Sequence, residues 1–180
     1  MVPAIIWTFL GAASGAVLVQ VIDADFLYHL IPILLILVAL YFWLSPNLNV
    51  TAESKPKLTR NSFAVLVGFS IGFYDGFFGP GTGSFFMAAY VLLMAATLID
   101  ATAQTKVLNL TSNVAALIFF ALGGNVLWTV GFLMAIAQLL GGYIGAHLAI
   151  NHGARLIRPL IVIISSAISI KLLLSRYWPG

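Results

Sequence analysis

Apolar runs at about residues 3–22, 26–44, 63–79, 84–99, 107–122, 126–150 and 159–175 take up most of this chain. Hydrocarbon offers no hydrogen-bond partners, so a lipid-exposed run must satisfy its own backbone, which for a single segment means a helix. A full span takes roughly 20 apolar residues and at least about 17. Only 7% of the residues are charged, against roughly 25% in soluble domains. Charges that sparse cannot cover a water-facing surface, and the mean hydropathy of +1.09 says the same. The expected fold is an all-α multi-pass membrane protein with about six or seven membrane segments. Disorder and a soluble enzyme are both excluded.

The one long polar stretch is SPNLNVTAESKPKLTRN, residues 45–61, with Lys55, Lys57 and Arg60 against Glu53. Cytoplasmic loops of membrane proteins carry an excess of Lys and Arg. Placing this loop in the cytoplasm puts Lys55, Lys57, Arg60, Lys106, Arg155 and Arg158 inside and leaves Lys171 and Arg176 outside. That count treats 63–79 and 84–99 as two crossings or as a re-entrant hairpin. The N-terminus is then cytoplasmic and the C-terminus external. The pI near 9.4 reflects charges scattered over loops and helix ends, so nucleic acid is not an expected partner. The N-terminal run lacks the basic leader of a cleaved signal peptide. With no cysteine there are no disulfides or thiolate sites.

Residues 72–86 read GFYDGFFGPGTGSFF and stand out against this background. The two runs flanking the glycines are short for full spans. Short segments interrupted by Gly and Pro point to a broken helix pair of the kind found at transport sites. Pro80 suits a first helical turn, with Thr82 or Ser84 as a cap. Glycines allow positive φ and let backbone N–H groups converge. A helix running on from the break would aim free amides and its positive dipole end at the gap, giving an anion site without a cationic side chain. The bland alternative is a tight turn between packed helices. Asp75, on the turn leading into the break, is an intramembrane carboxylate and so a candidate for coupling or pairing; it serves equally well as a brace for the broken helix.

Lys106, Asn109 and Asn113 fall at i, i+3 and i+7 in QTKVLNLTSNVAAL, on one helix face. Thr102, Thr105, Thr111 and Ser112 add hydroxyls nearby. Lys106 has three open roles: pairing with Asp75, contacting an anion, or snorkelling to the interface. For the asparagines, interhelical hydrogen bonding competes with substrate contact. His29, His147 and His152 show no metal spacing, and no catalytic or cofactor-binding motif is present, so neither enzyme activity nor a cofactor is expected.

An offset of 130 pairs residues 11–45 with 141–175 at 10 of 35 positions, among them Gly11/Gly141, Gly15/Gly145 and Ala16/Ala146. These GxxxGA pairs allow close helix approach. Homo-oligomer formation through them and packing within one chain are both open. Read as a repeat, the pairing makes 1–45 the end of a first repeat, 46–62 a cytoplasmic loop and 63–177 a second repeat, inverted with respect to the first, within one transporter domain at 1–180. A counterpart of the glycine cluster would then lie upstream of Met1, giving an incomplete, N-terminally shortened two-repeat transporter fold.

The stretches GFYDGFFGPGTGSFF, TKVLNLTSNVAALIFFALGGNVLW and GGYIGAHLAINHGARLIRPLI closely resemble the second half of the TauE/SafE sulfite exporter family. That resemblance implies two homologous halves and a multi-pass transporter of the plasma (inner) membrane for sulfite, sulfonates or related sulfur-containing anions. Carried over residue by residue, it marks Asp75, Gly76, Gly79, Pro80, Gly81, Thr82, Gly83, Lys106, Asn109 and Asn113 as the substrate site. The expected function is therefore a permease for a small anion, with the lipid bilayer as its surroundings. The alternative is a non-transporting membrane assembly subunit or an inactive shortened transporter.

Overall fold

In a computed structural model, residues 1–44 and 55–152 are described, and all of their regular structure is helical. Positions 45–54 of the polar loop and the run 159–175, with Arg155, Arg158, Lys171 and Arg176, lie outside the described residues. So does most of the second copy in the offset pairing. The chain divides into two units, Met1–Val126 and Leu127–Gly180.

The first unit holds α1 (Val2–Val21), α2 (Ala24–Leu44), α3 (Arg60–Phe63), α4 (Phe69–Phe77), α5 (Thr82–Met94) and α6 (Leu98–Leu122). A π-helical turn, Ala64–Gly68, joins α3 to α4. Together they make an unbroken rod of about 27 Å at 1.5 Å per residue. The described part of the second unit carries α7 (Trp128–His152). By length and composition, Val2–Val21, Leu98–Leu122 and Trp128–Gly145 can each cross a membrane, and Ala24–Val38 and Thr82–Met94 are shorter apolar helices. The protein is an all-α multi-pass membrane protein.

α1 and α4 run parallel with an offset of 64 residues. Gly68 faces Ala4 and Thr8, Gly72 faces Thr8, and Gly76 faces Ala12. In return, Gly11 and Gly15 sit against the α4 backbone at Phe69, Phe73 and Phe77. A Cβ on Gly72 or Gly76 would overlap an α1 carbonyl, so glycine is what permits this spacing. With apolar lipid outside, such close van der Waals contact takes over the role that hydrophobic burial plays in water. Gly11 and Gly15, half of the paired GxxxG signal, are therefore used within the chain.

α5 returns toward the end from which α3 started. The Leu93 carbonyl accepts from the amides of Lys57 (2.8 Å) and Leu58 (3.3 Å), and Phe63 packs on Tyr90 at 4.5 Å between ring centroids. At about 20 Å, α5 is too short for a core of roughly 30 Å. The α4–α5 pair forms a helical hairpin closed by the Gly79–Gly81 loop. The second apolar run does not continue to residue 99. It stops at Met94, where Ala95 turns left-handed (φ 51°) and the Ala96 amide donates to the Tyr90 carbonyl (3.2 Å). Thr97 then caps α6, its Oγ1 accepting from the Asp100 amide (3.1 Å) and donating to Asp100 Oδ2 (2.8 Å). This local Thr-x-x-Asp capping pair starts α6 nine residues before the apolar run at 107.

Candidate functional site at the broken helix

α4 ends because glycine and proline follow. The Phe78 and Gly79 amides both donate to the Tyr74 carbonyl (2.8 and 3.2 Å), and Gly79 and Gly81 take φ of 93° and 89°. Only glycine occupies that region freely. Tyr74 Oη donates to the Pro80 carbonyl at 2.6 Å and pins the loop. Pro80 precedes α5 instead of entering its first turn, and the N-cap is Gly81. Neither Thr82 nor Ser84 caps the helix as expected. The Ser84 and Phe85 amides bond to the Gly81 carbonyl (2.9 and 3.1 Å), while among the described residues no backbone acceptor takes the Gly81 or Gly83 amide. These are two of the unpaired donors expected at a helix start.

Freed from capping, Thr82 reaches backward. Its Oγ1 lies 2.7 Å from Asp75 Oδ1 and 2.6 Å from the Gly79 carbonyl oxygen. The other carboxylate oxygen, Asp75 Oδ2, accepts from Ser112 Oγ on α6. Asp75 therefore ties three elements together, α4, the start of α5 and α6. Hydrogen bonds to an ionised acceptor are about twice as strong as neutral ones. Ser112 belongs to the buried face of α6, Ala101, Thr105, Leu108, Ser112 and Ala115, which repeats every three to four residues. That spacing separates Ser112 and Thr105 from Thr102 and Thr111 among the nearby hydroxyls.

A hollow of about 420 Å³ opens at the break, lined by Asp75, Gly79, Gly81, Thr82, Gly83, Ser84, Asn109 and Asn113. It lies beside Ser112, two residues past the midpoint of α6. Seven of the ten expected site residues thus come together. Gly76 faces α1 at Ala12, Pro80 shapes the loop, and Lys106 is exposed on α6 outside the hollow. Lys106 sits one turn nearer the start of α6 than Asn109. A separate recess of about 500 Å³, lined by Arg60, Phe63, Tyr90, Met94, Asp100 and Gln104 among others, lies at the Arg60 end and contains none of the ten.

The profile of the sulfite exporter TauE/SafE family matches residues 1–172. The chain belongs to this family. It is 47% identical over 166 residues to the protein named "Probable membrane transporter protein YfcA" of Escherichia coli K12, an alignment covering 92% of this chain and 61% of that protein. A "Probable membrane transporter protein" of Haemophilus influenzae is 42% identical over 174 residues, covering 97% of this chain and 68% of the relative. "Probable membrane transporter protein ORF9" of Sinorhizobium sp. is 45% identical over 175 residues, 94% of this chain and 67% of that one. The chain thus spans about 61% of the length of the Escherichia coli relative. No solved structure matches it.

Proposed function

We propose that this chain is a membrane transporter, or the transporter portion of one, moving a small anion through the hollow at the α4–α5 break. The substrate class is sulfite, a sulfonate or a related sulfur-containing anion, and the setting is the plasma (inner) membrane. One observation carries the reading: the unpaired Gly81 and Gly83 amides at the positive end of α5 line a cavity beside the middle of α6. Donors so placed favour anions with no cationic side chain. The family and the names of the relatives support transport. Asn109 and Asn113 add neutral polar groups from the facing helix. Proton coupling through Asp75 is a further part of this proposal, since intramembrane carboxylates commonly relay protons. Lys106, outside the hollow, extends to the interface.

Flux of sulfite or a sulfonate into proteoliposomes tests the reading. Gly81→Leu strains a left-handed position at the mouth of the site and is expected to abolish flux. Flux in that variant equal to wild type would overturn the site assignment. A packing-only role in a membrane assembly is favoured by one observation, the contact of Gly68, Gly72 and Gly76 with α1. No anion-dependent flux from the wild type would support it.

A further inference from the structure

A carboxylate lines the hollow proposed to hold an anion, and a free carboxylate there would repel its ligand. Asp75 is not free. Each oxygen meets one hydroxyl, Thr82 Oγ1 at Oδ1 and Ser112 Oγ at Oδ2. Both hydroxyl-bearing residues are buried, Ser112 at 0% exposure and Thr82 at 2%.

The dependence runs one way. Thr82 Oγ1 has a second acceptor in the Gly79 carbonyl at 2.6 Å. Ser112 Oγ has two, the carbonyls of Leu108 (3.2 Å) and Asn109 (3.1 Å). Each hydroxyl has a single proton to give, so either can turn to a carbonyl and remain satisfied without Asp75. Among the described residues the carboxylate has no such reserve on the protein side. With one hydroxyl gone, the oxygen it capped finds water only by turning into the hollow.

We infer that Ser112 and Thr82 are positioning residues that determine specificity: they hold the Asp75 carboxylate against α5 and α6 so that its charge does not bar anions from the hollow. This rests on the anion reading above. It makes an unusual ordering. Removing a neutral hydroxyl should harm anion binding more than neutralising the acid, and neutralising the acid should repair the loss.

Binding to the purified full chain in detergent tests this, with methanesulfonate as a monoanion probe and sulfate as a dianion probe. Ser112→Ala is expected to weaken methanesulfonate about tenfold, the equivalent of one charge-assisted hydrogen bond. Sulfate should weaken about a hundredfold, because a coulombic penalty scales with ligand charge. Asp75→Asn placed in the Ser112→Ala background should bring both probes back to within about threefold of wild type, the coupling that a double-mutant cycle detects. Thr82→Val should act in the same sense and Thr82→Ser should not, which keeps the comparison available if Ser112→Ala fails to fold. Equal losses for the two probes, or no repair by Asp75→Asn, would mean a merely structural role and overturn the inference. Wild-type protein that binds neither probe overturns the anion reading itself.

Discussion

Two sets of glycines lie next to each other in this chain and serve opposite ends. Gly68, Gly72 and Gly76 are helical, and what matters about them is the missing Cβ: α1 carbonyls occupy the space a side chain would need at Gly72 and Gly76, and Thr8 and Ala4 crowd it at Gly68. Gly79 and Gly81 stand a few residues on, and what matters there is the positive φ. A Cβ at Gly79 would meet Asp75 atoms only at 3.5 and 3.6 Å, ordinary contact distances. One set fixes how close two helices lie; the other fixes where a helix stops. A glycine count alone merges two physical reasons that substitution can separate.

The largest effect belongs to the contact set. Gly76→Leu would drive a branched side chain into the Ala12 backbone, which no rotamer avoids. It is expected to cost upwards of about 3 kcal/mol, read as loss of monodisperse protein or a lowered Tm in detergent. Survival of Gly76→Leu at wild-type Tm would break the account of the α1–α4 seam. An intermediate effect belongs to the conformational set. Gly81→Ala should cost about 1–2 kcal/mol from the left-handed backbone alone, and Gly81→Asn less, since Asn tolerates that region. Equal losses for Ala and Asn would point to space instead of φ. Least affected is Gly83, the second residue of α5, whose added Cβ would meet Thr105 Cγ2 at 3.9 Å. Gly83→Ala should raise thermal stability by a few tenths of a kcal/mol through helix propensity. A destabilised Gly83→Ala would show that the α5–α6 contact is tighter than its geometry indicates.

Much of the candidate site's geometry was legible in the sequence. Asp75, Gly79, Gly81, Thr82 and Gly83 lie together because they are close in the chain, and Asn109 and Asn113 share a face because 109 and 113 are one turn apart. Gly76 points elsewhere for an equally local reason: neighbouring residues on a helix are rotated by about 100°, so Asp75 and Gly76 cannot face the same wall. Thr97-x-x-Asp100 was readable as a cap, and reading it would have ended the preceding run at its true place. Ser112 was harder. Its sequence neighbours include other hydroxyls, and Thr102 and Thr111 simply return theirs to carbonyls one turn back.

Composition and hydrophobic run length by themselves determined that this chain is a helical membrane protein, because a backbone in hydrocarbon has to bond within its own segment. The Gly-Pro-Gly run at 79–81 likewise determined that one helix breaks, since proline flanked by glycines is poorly suited to continue it. Which glycines serve contact and which serve conformation was decided only by tertiary structure, because that depends on the carbonyls of a helix some 64 residues away. So was the choice of partners for the Asp75 carboxylate, one hydroxyl seven residues on and another thirty-seven residues on. Sequence spacing carries the angle around one helix; it carries no distance between two.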